Sequence, residues 1–208
     1  MSHSAITKPV ENYYTGKVLL HGTHSLGVDW KSRESQELRF DQILKVCRGK
    51  KFSILDWGCG YGYLFEYLKR KRVNCSYRGY DLSKEMIRRA RRSYGKSPGA
   101  RFQEGEPAGH PADYVVASGI FNVKLKTPQG EWKKYIIGLL DHMNRLARKG
   151  FSFNCLTKYS DKERMRSDLY YADPLFFFDH CKRNFSKNVS LLHDYGLYEF
   201  TMLVRKDL

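Results

Sequence analysis

Three glycines at alternate positions follow a short apolar run that ends in an acid. Residues 52–68 read FSILDWGCGYGYLFEYL, with Gly58, Gly60 and Gly62 shortly after Asp56. Glycine is costly to order, and it occurs where the backbone turns with positive φ or approaches another group closely. Here the glycines lie between a predicted strand and a predicted helix. At such a turn, backbone N–H groups and a helix N-terminus can face a ligand.

The acid before the glycines restricts the kind of ligand. The carboxylate of Asp56 would repel a diphosphate but attract an ammonium group. A dinucleotide fingerprint reads G-x-G-x-x-G and does not require this acid. The sequence therefore predicts an adenosine compound with a cationic amino-acid end, and both Asp56 and the glycine spacing disfavour a nicotinamide oxidoreductase.

Strand and helix patterns alternate on both sides of this turn. Predicted strands cover residues 52–56, 76–81, 100–103, 114–117 and 151–154, and predicted helices cover residues 63–72, 84–94 and 131–148. Such alternation indicates a parallel sheet covered on both faces. After a predicted helix at 174–184, two strand-like runs, 189–193 and 198–204, are separated by DYG, which is typical of a hairpin. The sheet should therefore end in an antiparallel strand.

The N-terminal part of the chain has a different pattern. Residues 1–30 carry few helical signals, whereas Phe40, Ile43, Leu44 and Cys47 follow at helical spacing. We therefore divide the chain into residues 1–50, a lid segment with the first helix, and residues 51–208, the sheet domain.

The motifs resemble those of a known enzyme family. LDWGCGYG resembles the first motif of class I S-adenosylmethionine-dependent methyltransferases, and YRGYDLSKEMIRRA resembles the second. RFQEGEP and DYVVASGIFN resemble the third and fourth motifs more weakly. The resemblance implies an α/β fold with a Rossmann-like, doubly wound, mostly parallel sheet, an antiparallel C-terminal strand and an N-terminal helical or loop lid. It also implies S-adenosyl-L-methionine as the cofactor.

The resemblance implies a role for several residues at the cofactor. Asp81 would hold the ribose hydroxyls, Leu82 and Met86 would line the adenine, and Glu106 would lie near the adenine amino group. Arg39 is suited to the methionine carboxylate. The implied cofactor-binding set is Asp56, Gly58, Cys59, Gly60, Gly62, Asp81, Leu82, Met86, Glu106, Ser118 and Arg39. Taken singly, these residues have simpler interpretations, such as a helix cap for Asp81, a core residue for Met86 and a surface charge for Arg39.

The acceptor side is less defined. His21 is the candidate general base for an oxygen acceptor, because the ordinary pKa of histidine lies near neutrality. The candidate substrate-binding residues are Tyr13, Tyr14, Trp30, Phe121, Asn122 and Tyr171. A loop histidine is more often structural, and the tyrosines could equally pack in the core. Whether the acceptor atom is oxygen, nitrogen or carbon stays open.

Charge suggests the kind of acceptor. The chain has 37 Lys and Arg against 22 Asp and Glu, a formal charge of +15, which favours anionic partners. The basic runs at 69–72 and 88–92 fall on predicted helices that flank the sheet, whereas open α/β sheets bind ligands at the carboxyl ends of their strands. SGIFN also lacks the Asp/Asn-Pro-Pro-aromatic motif of enzymes that methylate nucleobase amino groups. We therefore predict a small anionic metabolite or sugar as acceptor. The alternatives are RNA and a non-catalytic protein that only binds S-adenosylmethionine.

The remaining features exclude other classes. The five cysteines are scattered without a C-x-x-C pair, which fits reduced thiols in the cytoplasm better than disulfides or zinc. No metal site is expected. The N-terminal segment has no apolar region of the signal-peptide kind, and no apolar run is long enough to span a membrane.

Overall fold

A computed structural model describes residues 1–206 and contains one seven-stranded sheet with helices on both faces. The helices are α1 (His3–His21), α2 (Arg33–Leu44), α3 (Tyr63–Arg70), α4 (Lys84–Tyr94), α5 (Gln129–Leu146) and α6 (Pro174–Asn184). The strands are β1 (Phe52–Trp57), β2 (Cys75–Asp81), β3 (Ala100–Glu104), β4 (Ala112–Ala117), β5 (Ala147–Leu156), β6 (Asn188–Leu192) and β7 (Glu199–Arg205). Short 3₁₀ turns cover Ser25–Val28 and Lys162–Arg164.

The sheet has the order β3-β2-β1-β4-β5-β7-β6. The first five strands in this order are parallel, and β7 runs antiparallel to both β5 and β6. Asp56 is opposite Gly79 of β2 and Val116 of β4, so β1 lies at the centre of the parallel part. The predicted α/β fold, mostly parallel with an antiparallel C-terminal end, is confirmed.

Alternate residues of the strands fill two separate cores. Leu55 and Val115 pack on one face with the buried side of α5, which includes Trp132 and Leu140. The opposite face of the strands packs against α2, α3 and α4, with Tyr77 among its fully buried side chains. Because both faces are covered here, the central strands read as nearly continuous apolar runs in the sequence.

The first helix was not predicted. α1 spans His3–His21 although Pro9 lies inside it, and proline in a helix interior removes a backbone hydrogen bond. The Ser2 side chain caps the helix by accepting a hydrogen bond from the Ala5 N–H. Ile6 and Val18 are buried, one in each of the two cores. Tertiary burial of these side chains stabilises a segment whose local signals are weak.

Some element boundaries also differ from the prediction. α3 ends at Arg70, and Arg72 has a φ of +55°, which stops the helix earlier than expected. α5 ends at Leu146, and β5 begins at once with Ala147, so the strand is longer than the predicted run 151–154. Strand pairing with β4 and β7 defines β5 over this length, which a local apolar pattern does not reveal.

Candidate functional site

The carboxyl ends of β1, β2 and β4 open into a cavity. The glycine turn after β1 forms one wall, and its three glycines have φ values of +80°, +55° and +85°. At Gly60 this conformation directs the backbone N–H at Asp81, 2.8 Å from Oδ2. The turn is thereby joined to the acid that ends β2.

Two carboxyl groups, the buried Asp56 and the half-buried Asp81, form the floor of the cavity. Asp81 accepts hydrogen bonds from the N–H groups of Gly60 and Ser83, at 2.8 and 2.9 Å. Asp56 accepts a hydrogen bond from the hydroxyl of Tyr77. Burial raises the pKa of Asp56 to about 7, with the Tyr77 hydrogen bond acting in the opposite direction. Burial likewise raises the pKa of Asp81 to about 6, against the two backbone hydrogen bonds. Both acids therefore keep a proton more readily than exposed carboxyls do, and a positively charged group placed beside them would favour the ionised form.

Helix α1 forms the roof of the cavity. Val10, Glu11 and Tyr14, on one side of this helix, line the space above the floor. The Thr15 hydroxyl lies 2.7 Å from that of Ser83 at the start of α4. Near the helix N-terminus, His3 Nε2 lies 2.8 Å from Glu106 Oε1 in the loop after β3. These contacts tie α1 to both the second and third strands of the site.

A second set of contacts holds the C-terminal half of α1. The Tyr13 hydroxyl donates to Asp29 at 2.6 Å, and Lys17 Nζ lies 2.6 Å from the same carboxylate. Asp29 has a φ of +60° and ends the turn before Trp30. Tyr13 therefore fixes the roof rather than lining the cavity.

Arg39 does not line the cavity, contrary to its assignment to the methionine carboxylate. Its Nε and Nη2 donate to the two carboxylate oxygens of Glu199, at 2.9 and 2.7 Å. Asn154 Nδ2 also donates to Glu199, and Asn154 Oδ1 accepts from the Gly119 N–H at 2.7 Å. The guanidinium carbon of Arg39 lies over the Trp30 ring, 3.9 Å from the ring centroid. This network fixes the turn after β4 and one wall of the cavity.

Many of the predicted residues lie together at the cavity, and the others lie outside it. Those that line it are Asp56, Gly58, Cys59, Gly60, Asp81, Leu82, Met86, Glu106, Ser118, Tyr14 and Trp30. Those that do not are Arg39, Gly62, His21, Tyr13, Phe121, Asn122 and Tyr171.

The residues outside the cavity have local structural contacts. Phe121 is fully buried in the core, and Asn122 Oδ1 accepts the Leu156 N–H. The Tyr171 hydroxyl accepts the Arg166 N–H, and Gly62 forms the N-cap of α3. His21 is the last residue of α1. The geometry thus gives no support to a catalytic role for His21.

Several lining residues were missed in the sequence. They are Val10, Glu11, Val28, Gln36, Phe40, Trp57, Tyr61, Tyr63, Leu64, Gly105, Gly119, Ile120, Trp132 and Tyr135. Tyr61, Tyr63 and Leu64 belong to the glycine turn and the start of α3. Their closeness in sequence to the predicted glycines could have identified them as cavity residues. Val10 and Tyr14 are four residues apart, which places them on the same side of a helix. Because no helix was predicted there, this spacing did not identify Val10 as a cavity residue.

The charged residues that line the cavity are all acidic. They are Glu11, Asp56, Asp81 and Glu106, and no Lys, Arg or His is among the described lining residues. Eight aromatic residues share the lining, among them Trp30, Tyr61 and Trp132. The net positive charge of the chain therefore lies outside this cavity.

Other kinds of site find no support within residues 1–206. No group of three or more His, Cys, Asp or Glu side chains there could hold a metal ion. The five cysteines are free. None of the helices in this part of the chain is long and apolar enough to cross a membrane.

A doubly wound sheet with a glycine turn and two acids at its carboxyl edge defines a nucleoside-binding α/β protein. Residues 54–150 match the model of a methyltransferase domain. The Mycobacterium tuberculosis (strain ATCC 25618 / H37Rv) protein named "Putative methyltransferase Rv1506c" is 55% identical over 155 residues, which are 74% of this chain and 93% of that protein. The chain belongs to the class I S-adenosylmethionine-dependent methyltransferases.

Solved structures of methyltransferases share the fold. The magnesium protoporphyrin IX methyltransferase (ChlM) of Synechocystis PCC 6803, with bound S-adenosylmethionine, matches with a TM-score of 0.68 and 15% identity over 96% of each chain. Human N-acetylserotonin methyltransferase, also in complex with S-adenosylmethionine, has a TM-score of 0.67 and 13% identity. That match covers 100% of this chain and 61% of the human one.

The residues present fit the cofactor of this family. Two buried polar atoms at the cavity, Gln36 Oε1 and Ser118 Oγ, have no hydrogen-bond partner within the described structure. An unpaired buried polar atom is costly, so these atoms favour a ligand that can pair with them. Asp56 and Asp81 add acceptors for the ammonium and hydroxyl groups that S-adenosylmethionine carries.

Proposed function

We propose that this methyltransferase acts on a small acceptor held in the cavity beneath α1. The observation that carries the proposal is the arrangement of the glycine turn, Asp56 and Asp81 around one cavity that α1 roofs. Helix α1 covers the edge of the sheet at this cavity, where a polymer would need access. These features favour a compact substrate over RNA.

We assign the cofactor to the floor of the cavity. Asp81 would accept hydrogen bonds from the ribose hydroxyls, and Asp56 would face the ammonium group. Leu82 and Met86 would line the adenine, with Glu106 beside them. When bound, S-adenosylmethionine supplies an electrophilic methyl group on a sulfonium. The chain itself contributes alignment and the exclusion of water, since methyl transfer requires the acceptor in line with the breaking bond.

The lining favours an uncharged or cationic acceptor over the anionic one predicted from the net charge. An anion would have to approach four carboxyl groups with no cation in the lining to offset them. Aromatic walls such as Trp30 and Trp132 instead suit a flat apolar body or a cation placed over a ring. We therefore propose an aromatic or amine-bearing small molecule.

Glu11 replaces His21 as the candidate proton acceptor. It lines the cavity from the roof, and its carboxylate forms an ion pair with Lys8, which is exposed. Glu106, by contrast, is bound to His3. Tyr14 is unsuited as a base because burial raises its pKa, which keeps the hydroxyl protonated.

The test begins with cofactor binding. We expect isothermal titration with S-adenosylhomocysteine to give micromolar affinity, and Asp81→Asn to weaken it by about 2–4 kcal/mol because charge-assisted hydrogen bonds are lost. Glu104→Gln is the matched control. Glu104 pairs with Asp81 in the sheet register but is exposed, so affinity should not change. Equal loss in the two variants would contradict the assignment of Asp81.

The acceptor is tested with methyl-labelled cofactor. Panels of phenols, aromatic amines and alkylamines should accept label, while phosphorylated sugars and carboxylic acids should not. Glu11→Gln should lower turnover of a hydroxyl acceptor more than cofactor affinity. Transfer of label into bulk RNA, or into anionic metabolites alone, would refute the proposed acceptor class.

A further inference from the structure

Strands β2 and β3 bury one face against α4 and leave much of the other face open to solvent. Tyr77 and Phe102 are buried in the same core as Met86 of α4. Successive side chains of a strand point to opposite faces, and on the face away from α4 both Arg101 and Gln103 are exposed. Parallel sheets are ordinarily covered on both faces, so this open face needs an explanation.

The short connection between β3 and β4 accounts for the open face. It consists of residues 105–111 and contains no helix. A crossover between parallel strands ordinarily takes a dozen or more residues and includes a helix that covers the sheet. Here Arg78 Nη2 holds the connection instead, by donating to the carbonyl oxygens of His110 and Pro111 at 2.7 and 2.9 Å. His110 and Pro111 thereby form one wall of a cleft over β2 and β3.

The charge of this cleft is opposite to that of the cofactor cavity. Arg78, Arg101 and Arg148 line it with His110, and no Asp or Glu is among its lining residues in the described part of the chain. Arg78 and Arg101 are partners in the sheet register, so two like charges lie side by side. Arg148 Nε lies 3.4 Å from Asp113, but Arg101 forms no ion pair or hydrogen bond with any side chain of residues 1–206. The cleft therefore carries positive charge that its surroundings do not neutralise.

Neutral hydrogen-bonding groups lie beside the arginines. Tyr80 is 6% exposed, and Gln103 lies opposite it in the sheet register. Both residues line the cleft, and the side chain of neither is hydrogen-bonded to another described residue. A tyrosine hydroxyl and a glutamine amide can both donate to an oxygen anion, and arginine guanidinium groups match the geometry of phosphate. The donors of two adjacent strands thus face the same recess.

From this arrangement we propose that the cleft over β2 and β3 is a second ligand site, which binds a small phosphate-bearing molecule. Arg101 and Arg148 donate to the phosphate oxygens, Tyr80 and Gln103 add neutral donors, and Arg78 holds the wall and contributes its charge. The basic groups share one recess between the sheet and residues 105–111, which favours a compact anion over a polymer. The cleft has no lining residue in common with the cofactor cavity, so the inference does not depend on the proposed function.

The site is tested by isothermal titration of the full chain with inorganic pyrophosphate in a buffer free of other phosphates. Pyrophosphate should bind the wild type, and binding should remain when S-adenosylhomocysteine saturates the cofactor cavity. Arg101→Gln should weaken pyrophosphate binding about 10-fold, because a charge-assisted hydrogen bond is lost. Arg101 is exposed, so this variant should keep the fold, which a thermal melt checks.

Arg92→Gln is the matched control. Arg92 is exposed on α4, which packs on the opposite face of the same strands, and the substitution removes the same charge. Its pyrophosphate binding should stay within twofold of wild type. Equal losses in the two variants, or unchanged binding by Arg101→Gln, would overturn the site. Displacement of pyrophosphate by S-adenosylhomocysteine would place the anion in the cofactor cavity and would overturn it as well.

A short single-stranded RNA distinguishes a small ligand from a polymer. Its binding should be lost between about 50 and 200 mM salt, and the two variants should weaken it equally. RNA binding that persists at the higher salt and depends on Arg101 but not on Arg92 would assign the cleft to nucleic acid and refute a small ligand. Failure of the wild-type chain to bind S-adenosylhomocysteine would count against the proposed function alone, since pyrophosphate binding is measured without it.

Discussion

Arg39 and Glu199 form a buried ion pair between α2 and the first residue of β7, 160 positions apart in the chain. The two side chains are 9% and 0% exposed, and both guanidinium contacts to the carboxylate are charge-assisted hydrogen bonds. The same carboxylate holds Asn154, which in turn holds the backbone of Gly119 at the cavity. The pair therefore connects the packing of α2 with the geometry of the site.

Arg39→Met should destabilise the protein by about 3–5 kcal/mol, because it leaves the Glu199 charge buried without its partner. Urea denaturation measures the free energy of unfolding. Arg183→Met is the control, since the Arg183–Asp179 pair is exposed on α6 and should leave stability unchanged. A value for Arg39→Met within about 1 kcal/mol of wild type would show that the buried pair is not a stabilising contact.

Asp56 should give stability a distinctive pH dependence. Its folded pKa of about 7 lies above the ordinary value of 3.8, so between these values the folded protein keeps a proton that the unfolded chain has lost. The contribution of Asp56 to stability therefore falls as the pH rises through this window. Relative to Asp56→Asn, the wild-type free energy of unfolding should decrease by about 2–3 kcal/mol from pH 5 to pH 8.

Asp113 supplies the control for that measurement. Hydrogen bonds from Ser53 and the nearby Arg148 and Lys149 lower its pKa, against the effect of burial. Because Asp113 is ionised in both folded and unfolded chains above pH 5, Asp113→Asn should show a constant stability difference from pH 5 to pH 8. The same slope in both variants would argue against a buried protonated Asp56.

Gly119→Ala should damage the site. Gly119 has a φ of +81°, and a Cβ there would lie 2.3 Å from Cζ2 of Trp30. We expect a loss of about 1–3 kcal/mol in stability from the strained conformation and weaker binding of S-adenosylhomocysteine. Gly138→Ala in α5 is the opposite case, since no atom lies within 4 Å of the place that its new methyl group would occupy. It should gain about 0.5–1 kcal/mol. Equal stability of the two variants in urea would contradict the role of the Trp30–Gly119 contact.

Helix α1 should respond to the cofactor as a lid. Val10, Glu11 and Tyr14 face the cavity, and only a few polar contacts join the helix to the rest of the site. Amide hydrogen exchange over residues 3–21 should slow when S-adenosylhomocysteine binds, because the ligand adds contacts to the roof. Helix α6, none of whose residues lines the cavity, serves as internal reference. Unchanged exchange in α1 would make it a fixed structural element.

The sequence by itself determined the cofactor side of this protein. Asp56 and Gly60 were singled out from their types and spacing because a strand-to-helix turn is a local structure, and Asp81 from the resemblance of its segment to the second motif of the family. The parallel register then brings the ends of adjacent strands together. The alternation of strands with helices and the hairpin at the C-terminus also followed from periodicity, which local residue types encode.

Only the tertiary structure decided the roof, the charge of the cavity and the partner of Arg39. α1 is held by burial of Ile6 and Val18 against residues far along the chain, so its own sequence did not predict it. The total charge of +15 is a sum over the chain, whereas the cavity selects only residues that face one edge of the sheet. Arg39 meets Glu199 because β7 inserts beside β5, a long-range pairing that no local pattern records.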